Sequence, residues 1–166
     1  MSSKPKSDHT GSALELPFES TFGEAISVLN RAAYVYLSRA LAPYGLGPGQ
    51  QAYLITMQVG ESLSQEQIAR RHRVDKANAA RAMQGLEKLG YVTRTRASHD
   101  ARQWEIRLTA RGAQVRGEVQ AALEPWIEAL SESVTPAEWK VTVEALARIA
   151  DRAISFAYSF DPPDRS

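Results

Sequence analysis

Residues 62–112 decide the fold, and they contain SLSQEQIARRH (62–72), VDKANAARAMQGLEKLG (74–90) and YVTRTRASHDARQWEIRLT (91–109). The first two segments each include a residue suited to capping a helix, Ser64 and Asp75. The third segment ends in alternating apolar and polar residues, as a half-buried strand of a hairpin does. Two helices followed by a basic hairpin suit DNA, because a helix fits the major groove and a thin ribbon reaches the neighbouring minor groove.

Positive charge is concentrated in this stretch. The chain of 166 residues has a net charge of +1, but residues 64–111 contain eleven basic and five acidic side chains, which gives +6 there and −5 elsewhere. A basic module attached to an acidic remainder is the charge distribution expected of a protein that binds a polyanion. A solvated arginine-rich face without a ligand is the alternative interpretation of the same count.

Composition argues against several classes of function. The chain has no cysteine, which excludes disulfides, thiolate catalysis and cysteine-bound zinc. Its three histidines, His9, His72 and His99, lack the spacing of a metal site. The sequence has no phosphate-binding glycine loop and no nucleophile with a recognisable base. We therefore expect no metal, no cofactor and no enzymatic activity.

The sequence also predicts where the protein works. No run of about 18 apolar residues is present, so no membrane-spanning segment is expected. The first seventeen residues have no apolar signal core and are typical of a polar arm. These features predict a cytoplasmic protein that makes no contact with membranes.

Outward from the opening stretch, helical periodicity dominates. The predicted fold class is mainly α with a small β-hairpin wing (α+β), and helices occupy both ends of the chain. Pro125 interrupts the fifth helix and predicts a kink or a break near Ala122. The predicted elements are helices over 20–42, 48–59, 64–72, 76–89, 110–132 and 136–158, strands over 91–94 and 104–108, and a hairpin tip over 96–103.

These elements predict a division of the chain. We expect a flexible arm over 1–19, a winged helix-turn-helix over 46–109, and a tail over 159–166. The remaining segments, 20–45 and 110–158, carry long apolar stripes that lack a partner nearby in the sequence. A two-fold pairing of two chains would bury them and would set two recognition helices about 34 Å apart along a duplex. The sequence therefore predicts a homodimer.

The fourth helix separates into an inner and an outer face. Its inner positions, Ala79, Ala82, Met83, Leu86 and Leu89, recur at helical spacing and should lie in the core. The outer positions cluster in the first two turns, which are the part of a recognition helix that reaches base edges. In the hairpin, Asp100 can pair with a nearby arginine while Arg102 projects toward DNA. The outer positions are Lys76, Ala77, Asn78, Ala80, Arg81 and Gln84.

With these motifs in place, the chain resembles the MarR family of winged-helix transcription regulators over nearly all of residues 20–158. The order and spacing of the motifs carry the resemblance, and the wing and its exit match without insertion or deletion. The matching segments are Leu46-Gly47-Pro48-Gly49-Gln50, Leu63-Ser64-Gln65-Glu66-Gln67-Ile68-Ala69, Val74-Asp75-Lys76 with Arg81, Leu86-Glu87-Lys88-Leu89-Gly90-Tyr91-Val92, Arg94, Asp100-Ala101-Arg102 and Leu108-Thr109-Ala110-Arg111-Gly112.

The resemblance assigns roles to individual residues. It implies that Asn78 and Arg81 contact bases or phosphates in the major groove, that Arg94 and Asp100 brace the wing, and that Arg102 enters the minor groove. Departures from the family pattern are Gly47 in place of a threonine cap, the small pair Ala79-Ala80, and Trp104, which is large for its strand position. The full set of expected DNA-binding residues is Ser64, Gln65, Lys76, Ala77, Asn78, Arg81, Arg94, Arg96 and Arg102.

The resemblance also implies an effector. Members of the family commonly bind small, often aromatic anionic ligands in the crevice between the helical frame and the DNA module. The corresponding residues here are Arg31, Tyr34, Tyr53, Met57 and Trp126. The expected function is a homodimeric, sequence-specific DNA-binding transcriptional regulator, a repressor that a small molecule releases from a palindromic operator. The alternative is a winged-helix adaptor that binds proteins through its basic face.

Overall fold

The computed structural model describes residues 18–97 and 103–159, and these ranges form six α-helices and a three-stranded antiparallel sheet. The fold class expected from the sequence is confirmed. No helix in these ranges is long and apolar enough to cross a membrane. The elements are α1 (Phe18–Ala40), α2 (Gln50–Thr56), β1 (Leu63–Ser64), α3 (Gln65–His72), α4 (Lys76–Lys88), β2 (Val92–Arg96), β3 (Trp104–Leu108), α5 (Ala110–Ser131) and α6 (Pro136–Ser159), with a 3-10 turn at Ala42–Tyr44.

The chain divides after Val35, within α1, into two compact units. In the first unit, Phe22, Ile26 and Leu29 repeat along α1 at helical spacing and remain exposed. The second unit begins at Tyr36 and contains all the other elements. The apolar stripe predicted for α1 therefore exists, and within its own unit it is not buried.

Local capping chemistry fixes where the helices begin. Ser64, Asp75 and Thr109 precede α3, α4 and α5, and each side chain accepts a hydrogen bond from the backbone N–H three residues later, over 3.1, 2.7 and 2.9 Å. These bonds satisfy N–H groups that have no partner inside the helix. At α6, the carboxylate of Glu138 accepts a hydrogen bond from the Thr135 N–H over 2.8 Å. All four helices begin where the sequence predicts.

Helix α2 is shorter than the predicted 48–59. Gly49 stands outside it with a φ of 94°, and the Gly47 N–H donates to Oε1 of Gln50 over 2.8 Å, so the helix begins only at Gln50. At the other end Met57 adopts an extended conformation and is only 1 % exposed. Burial of Met57 ends the helix early, and Val59, the last residue of the predicted range, is exposed.

The wing differs from its prediction in two ways. Strand β2 continues to Arg96, which was assigned to the tip, and the Ala97 N–H donates to the Gln103 carbonyl over 3.0 Å beyond it. A third strand, β1, was not predicted; it has two residues and pairs with β3 through Leu63 opposite Ile106. The sheet order is β1-β3-β2. Since two residues carry no periodic signal, β1 is defined only by its partner strand.

The sequence predicts a kink or a break near Ala122, and the break does not occur, because helix α5 is continuous through Pro125. Proline removes one N–H from the helical ladder. In the same turn the Tyr36 hydroxyl donates to the Ala122 carbonyl over 2.8 Å, and the Tyr36 ring stacks on Trp126 with 5.3 Å between centroids. These contacts hold the end of α1 against the proline-containing turn.

One hydrophobic core lies within the helix-turn-helix and the elements that surround it. The buried face of α4 is the predicted one, with Ala79, Ala82, Met83 and Leu86 between 0 and 9 % exposed. Burial of such a face accounts for most of the stability of a helix this short. The largest fully buried side chains are Leu41, Leu54, Met57, Ile68, Met83, Leu86, Ile106 and Val119.

Candidate nucleic-acid interface

The start of α3 is held by a reciprocal pair of hydrogen bonds. The Ser64 hydroxyl accepts from the Gln67 N–H over 3.1 Å, and the Ser64 N–H donates to Oε1 of Gln67 over 2.7 Å. This capping box satisfies two groups that a bare helix end would leave without partners. The Ser64 hydroxyl is thus already engaged in the free protein, and the neighbouring Gln65 is partly exposed beside it.

Removal of this cap gives a first prediction. Ser64→Ala should lower the free energy of unfolding by about 1 kcal/mol, because the Gln67 N–H loses its acceptor. For a chain of this length that corresponds to a fall in melting temperature of about 2–4 °C at fixed protein concentration. Ser62→Ala is the matched control, since the Ser62 hydroxyl makes only a 3.4 Å contact with Glu105. Equal effects of the two substitutions would contradict the capping role.

The turn between α3 and α4 orients the second helix. Arg73 ends α3 with a φ of 53°, and its N–H donates to the carbonyls of Ala69 and Arg70. Asp75 then accepts from the Asn78 N–H and starts α4. A left-handed residue at this position closes the last turn of α3 as glycine usually does. The entry of α4 is therefore fixed by two successive caps.

The outward face of α4 presents the predicted residues. Lys76, Ala77, Asn78 and Arg81 are all exposed, while the opposite face is buried. Lys76 lies 3.6 Å from a Glu66 carboxylate oxygen, an exposed pair that contributes little to stability. At 1.5 Å per residue α4 is about 20 Å long, which is enough to lie across a major groove. The structure thus brings these four side chains together on one accessible surface.

A cleft of about 470 Å³ borders this face. Its walls include Tyr53 and His72, whose rings lie 4.2 Å apart, together with Asn78 and Arg81. The His72 Nε2 atom lies 2.8 Å from the Thr56 hydroxyl. Burial, and secondarily the charge of Arg71, lowers the pKa of His72 below its usual value. This shift favours the neutral form of His72, and Arg81 is the cation that lines the cleft.

One basic residue of α3 is neutralised by an ion pair that the sequence did not reveal. Arg71 donates to both carboxylate oxygens of Glu61, over 2.6 and 3.0 Å, and to the Thr56 carbonyl over 2.9 Å. The hydrogen bonds from Arg71 lower the pKa of the Glu61 carboxyl. This arginine ties α3 to the segment after α2. Its guanidinium remains partly exposed, but its charge is balanced by that of Glu61.

Two arginines of the wing lie beside one aromatic ring. Arg94 donates to a carboxylate oxygen of Glu87, on α4, over 3.1 Å, and only 9 % of its side chain is exposed. The centre of its guanidinium lies 4.6 Å from the ring centroid of Trp104, and that of Arg96 lies 4.0 Å from it. The Nε atom of Arg94 is buried without a hydrogen-bond partner. Of the two expected DNA contacts, Arg96 is the exposed one and Arg94 is enclosed.

Two expected residues lie outside the described part of the chain. Asp100 and Arg102 belong to 98–102, between the two described ranges. The wing brace through Asp100 and the minor-groove contact through Arg102 therefore stay predictions. The flanking strands bring their ends together at Ala97 and Gln103.

Three of the expected effector residues belong to the second unit, and each has a different environment there. Met57 is a core residue and Tyr53 lines the cleft beside α4, while Trp126 stacks on Tyr36. Arg31 and Tyr34 belong to the first unit, where both are exposed. Between α2 and α5 lies a separate groove of about 350 Å³ with an apolar floor and two carboxylates at its rim. Its lining residues are Ile55, Gln120, Leu123, Glu124, Ile127 and Glu128.

Comparisons with known proteins agree with this geometry. A family model described as the MarR family matches residues 44–103. The chain is 27% identical over 117 residues to the HTH-type transcriptional regulator BilQ of Clostridioides difficile (strain CD3), a match that covers 70% of this chain and 79% of that protein. Among solved structures, a MarR transcriptional regulator from Methanosarcina mazei Go1 is 28% identical with a TM-score of 0.70, over 82% of this chain and 99% of that one.

A solved complex with DNA has the same fold. A mutant MarR from E. coli, complexed with operator DNA, superposes with a TM-score of 0.68 at 19% identity. The match covers 78% of this chain and 93% of that chain. The arrangement of helices and wing described above is therefore one that a protein bound to operator DNA also adopts.

Proposed function

Because the chain belongs to the MarR family of transcriptional regulators, we propose that it is a homodimeric repressor that binds a palindromic operator and leaves it when a small molecule binds. The chain is a DNA-binding transcriptional regulator, and members of this family are not enzymes. The proposal adds the direction of regulation, the dimer and the release by a ligand.

The outward face of α4 carries the proposal. Asn78 and Arg81 are exposed in the first two turns of a helix that is capped, basic on one face and buried on the other. An amide and a guanidinium in this position are the groups that pair with adenine and guanine edges in the major groove. Arg81 is the residue for which we expect the largest single contribution to binding.

The apolar stripes support the homodimer. Phe22, Ile26 and Leu29 on α1, and Leu146 and Ile149 on α6, are each between 37 and 45 % exposed. A stripe of exposed apolar side chains along a helix marks an interface in proteins that work in water. A two-fold axis would place two copies of α4 on one face of a duplex, one helical turn apart. A palindromic operator follows from that symmetry.

The cleft beside α4 supports release by a ligand. Tyr53 and His72 provide aromatic surface, Arg81 provides a cation, and the volume of about 470 Å³ suits a small aromatic anion. A molecule held there would occupy the side chains of Asn78 and Arg81, which the operator also needs. Ligand and DNA would then exclude each other through shared residues, and each would weaken the binding of the other equally.

Selection of bound fragments from the source genome tests the function. The purified protein should prefer one palindromic duplex over random DNA of equal length by at least about 100-fold at physiological salt. Arg81→Ala should weaken that binding by at least about 10-fold, since each dimer loses two groove contacts. Arg39→Ala is the matched control, because Arg39 is an exposed arginine at the end of α1. Absence of any preferred duplex would favour the protein-binding adaptor instead.

A further inference from the structure

Trp104 is the first residue of β3 and lies directly opposite Arg96 in the sheet register. One further backbone hydrogen bond, from Ala97 to Gln103, follows this pair before the segment 98–102. The Trp104 side chain is partly buried, and it stands at the base of the wing tip. The ring is therefore placed where the wing would approach DNA, and it is attached to the rigid sheet.

The two arginines beside the ring have different environments. Arg94 is almost wholly enclosed and paired with Glu87, so it joins the wing to the last turn of α4. Arg96 is exposed, and among the described residues its guanidinium contacts the Trp104 ring and no carboxylate. A guanidinium that packs against an aromatic ring is attracted to the ring and can still donate hydrogen bonds from its N–H groups to an anion. Arg94 thus braces the wing, while Arg96 remains available to an anion.

We propose that Trp104 is a positioning residue for DNA binding, whose ring orders the Arg96 guanidinium for contact with a DNA phosphate and holds Arg94 against Glu87. The proposal rests on the function proposed above. An arginine side chain loses rotational freedom about several bonds when it binds, and this loss of conformational entropy weakens association. A ring that orders the guanidinium in the free protein removes much of that loss. Contacts of this kind set register and affinity rather than sequence preference.

A double-mutant cycle on operator binding tests the proposal. Trp104→Leu and Arg96→Ala should each weaken binding about 3- to 10-fold, and the double variant should lose clearly less affinity than the two single losses combined, because only the part of the Trp104 effect that acts through Arg94 remains once Arg96 is absent. Both single variants should also lower the steepness of the salt dependence by the same amount, close to one phosphate contact per protomer. Arg107→Ala is the control, because Arg107 lies on the other face of the same strand, 3.5 Å from Glu105.

A charge-conserving variant separates positioning from simple attraction and does not disturb the core. Arg96→Lys keeps the charge at an exposed site but loses the flat stacking surface. It should weaken binding in the wild-type background and have no effect in the Trp104→Leu background. Trp104→Phe, which retains an aromatic face and should fold even if Trp104→Leu does not, should restore most of the affinity.

Three results would overturn the proposal: additive losses in the cycle, wild-type affinity of the Trp104→Leu variant, or equal effects of Arg96→Lys in both backgrounds. A wild-type protein without any preferred duplex would contradict the proposed function and not this inference. In that case the same cycle is measured with a random duplex at low salt, where phosphate contacts dominate binding. The coupling between Trp104 and Arg96 should persist there.

Discussion

Gly112→Ala is expected to lower the free energy of unfolding by about 3 kcal/mol or more, enough to leave little folded protein at 37 °C. A Cβ atom on Gly112 would lie 1.9 Å from the Tyr91 carbonyl oxygen, 2.8 Å from its carbon and 3.0 Å from the Tyr91 Cα. All three are backbone atoms, so no side-chain rotation relieves the clash. Either Tyr91, which directly precedes β2, or the first turn of α5 would have to move.

Neither of these segments can move without further losses. The Tyr91 carbonyl accepts from the Thr109 N–H over 3.0 Å, and the Thr109 hydroxyl donates to the Gly90 carbonyl over 2.7 Å. The same hydroxyl accepts from the Gly112 N–H and caps α5. Tyr91 itself is 2 % exposed, and its hydroxyl donates to the Tyr44 carbonyl. A shift at Gly112 would therefore disturb the junction of wing, α5 and core together.

Urea unfolding of two alanine variants in the same helix measures the effect. Gly117 also lies in α5, but a Cβ there meets no atom within 4 Å. Gly117→Ala should stabilise the protein by up to about 1 kcal/mol, because alanine is the better helix former. Similar urea concentrations at the unfolding midpoints of the two variants would show that the close approach at Gly112 is absent in solution.

The parts of this fold that could be predicted are those set by local chemistry. The caps at Ser64 and Asp75 and the inward face of α4 follow from a few neighbouring residues, and they are confirmed. The short strand β1 could not be predicted, because only its pairing with β3 makes it a strand. The early end of α2 depends on burial of Met57 in a core assembled from distant segments. Likewise, the sequence shows that residue 112 is a glycine, but it does not show that the Tyr91 backbone lies close to it.

The candidate site, too, could be predicted from the sequence only in part. Periodicity alone predicted that Asn78 and Arg81 would be exposed together. Periodicity could not distinguish Arg81 from Arg71 and Arg94, because the sequence does not show whether an arginine is paired with a glutamate. The pairs with Glu61 and Glu87, 10 and 7 residues away in the chain, join different elements, so the periodicity of a single helix does not predict them. Glu87 is already counted in the net charge of +6 for residues 64–111, whereas Glu61 lies outside that range and its pair with Arg71 cancels one of those six charges.

Leu146→Glu should convert the proposed dimer into monomers. On α6, Val143, Leu146, Ile149 and Phe156 share one face and are between 37 and 56 % exposed. If two chains bury this face against each other, the substitution places a carboxylate in the interface twice, because a two-fold axis repeats it. Burial of unpaired charge costs about 3 kcal/mol or more, so the dissociation constant should rise by at least about 100-fold.

The measurement is the solution mass at micromolar concentration, with 18.3 kDa expected for the Leu146→Glu chain and about twice that for the wild type. Ser155→Glu is the matched control: at 100° per residue it lies about half a turn away from Leu146 around the same helix, on a face already exposed. It should remain dimeric and keep its melting temperature. The Leu146→Glu monomer should also bind the operator at least about 100-fold more weakly, because each recognition helix must then find its half-site alone. A wild-type monomer, or a dimer that tolerates Leu146→Glu, would exclude α6 as the dimer interface and leave its apolar face to another partner.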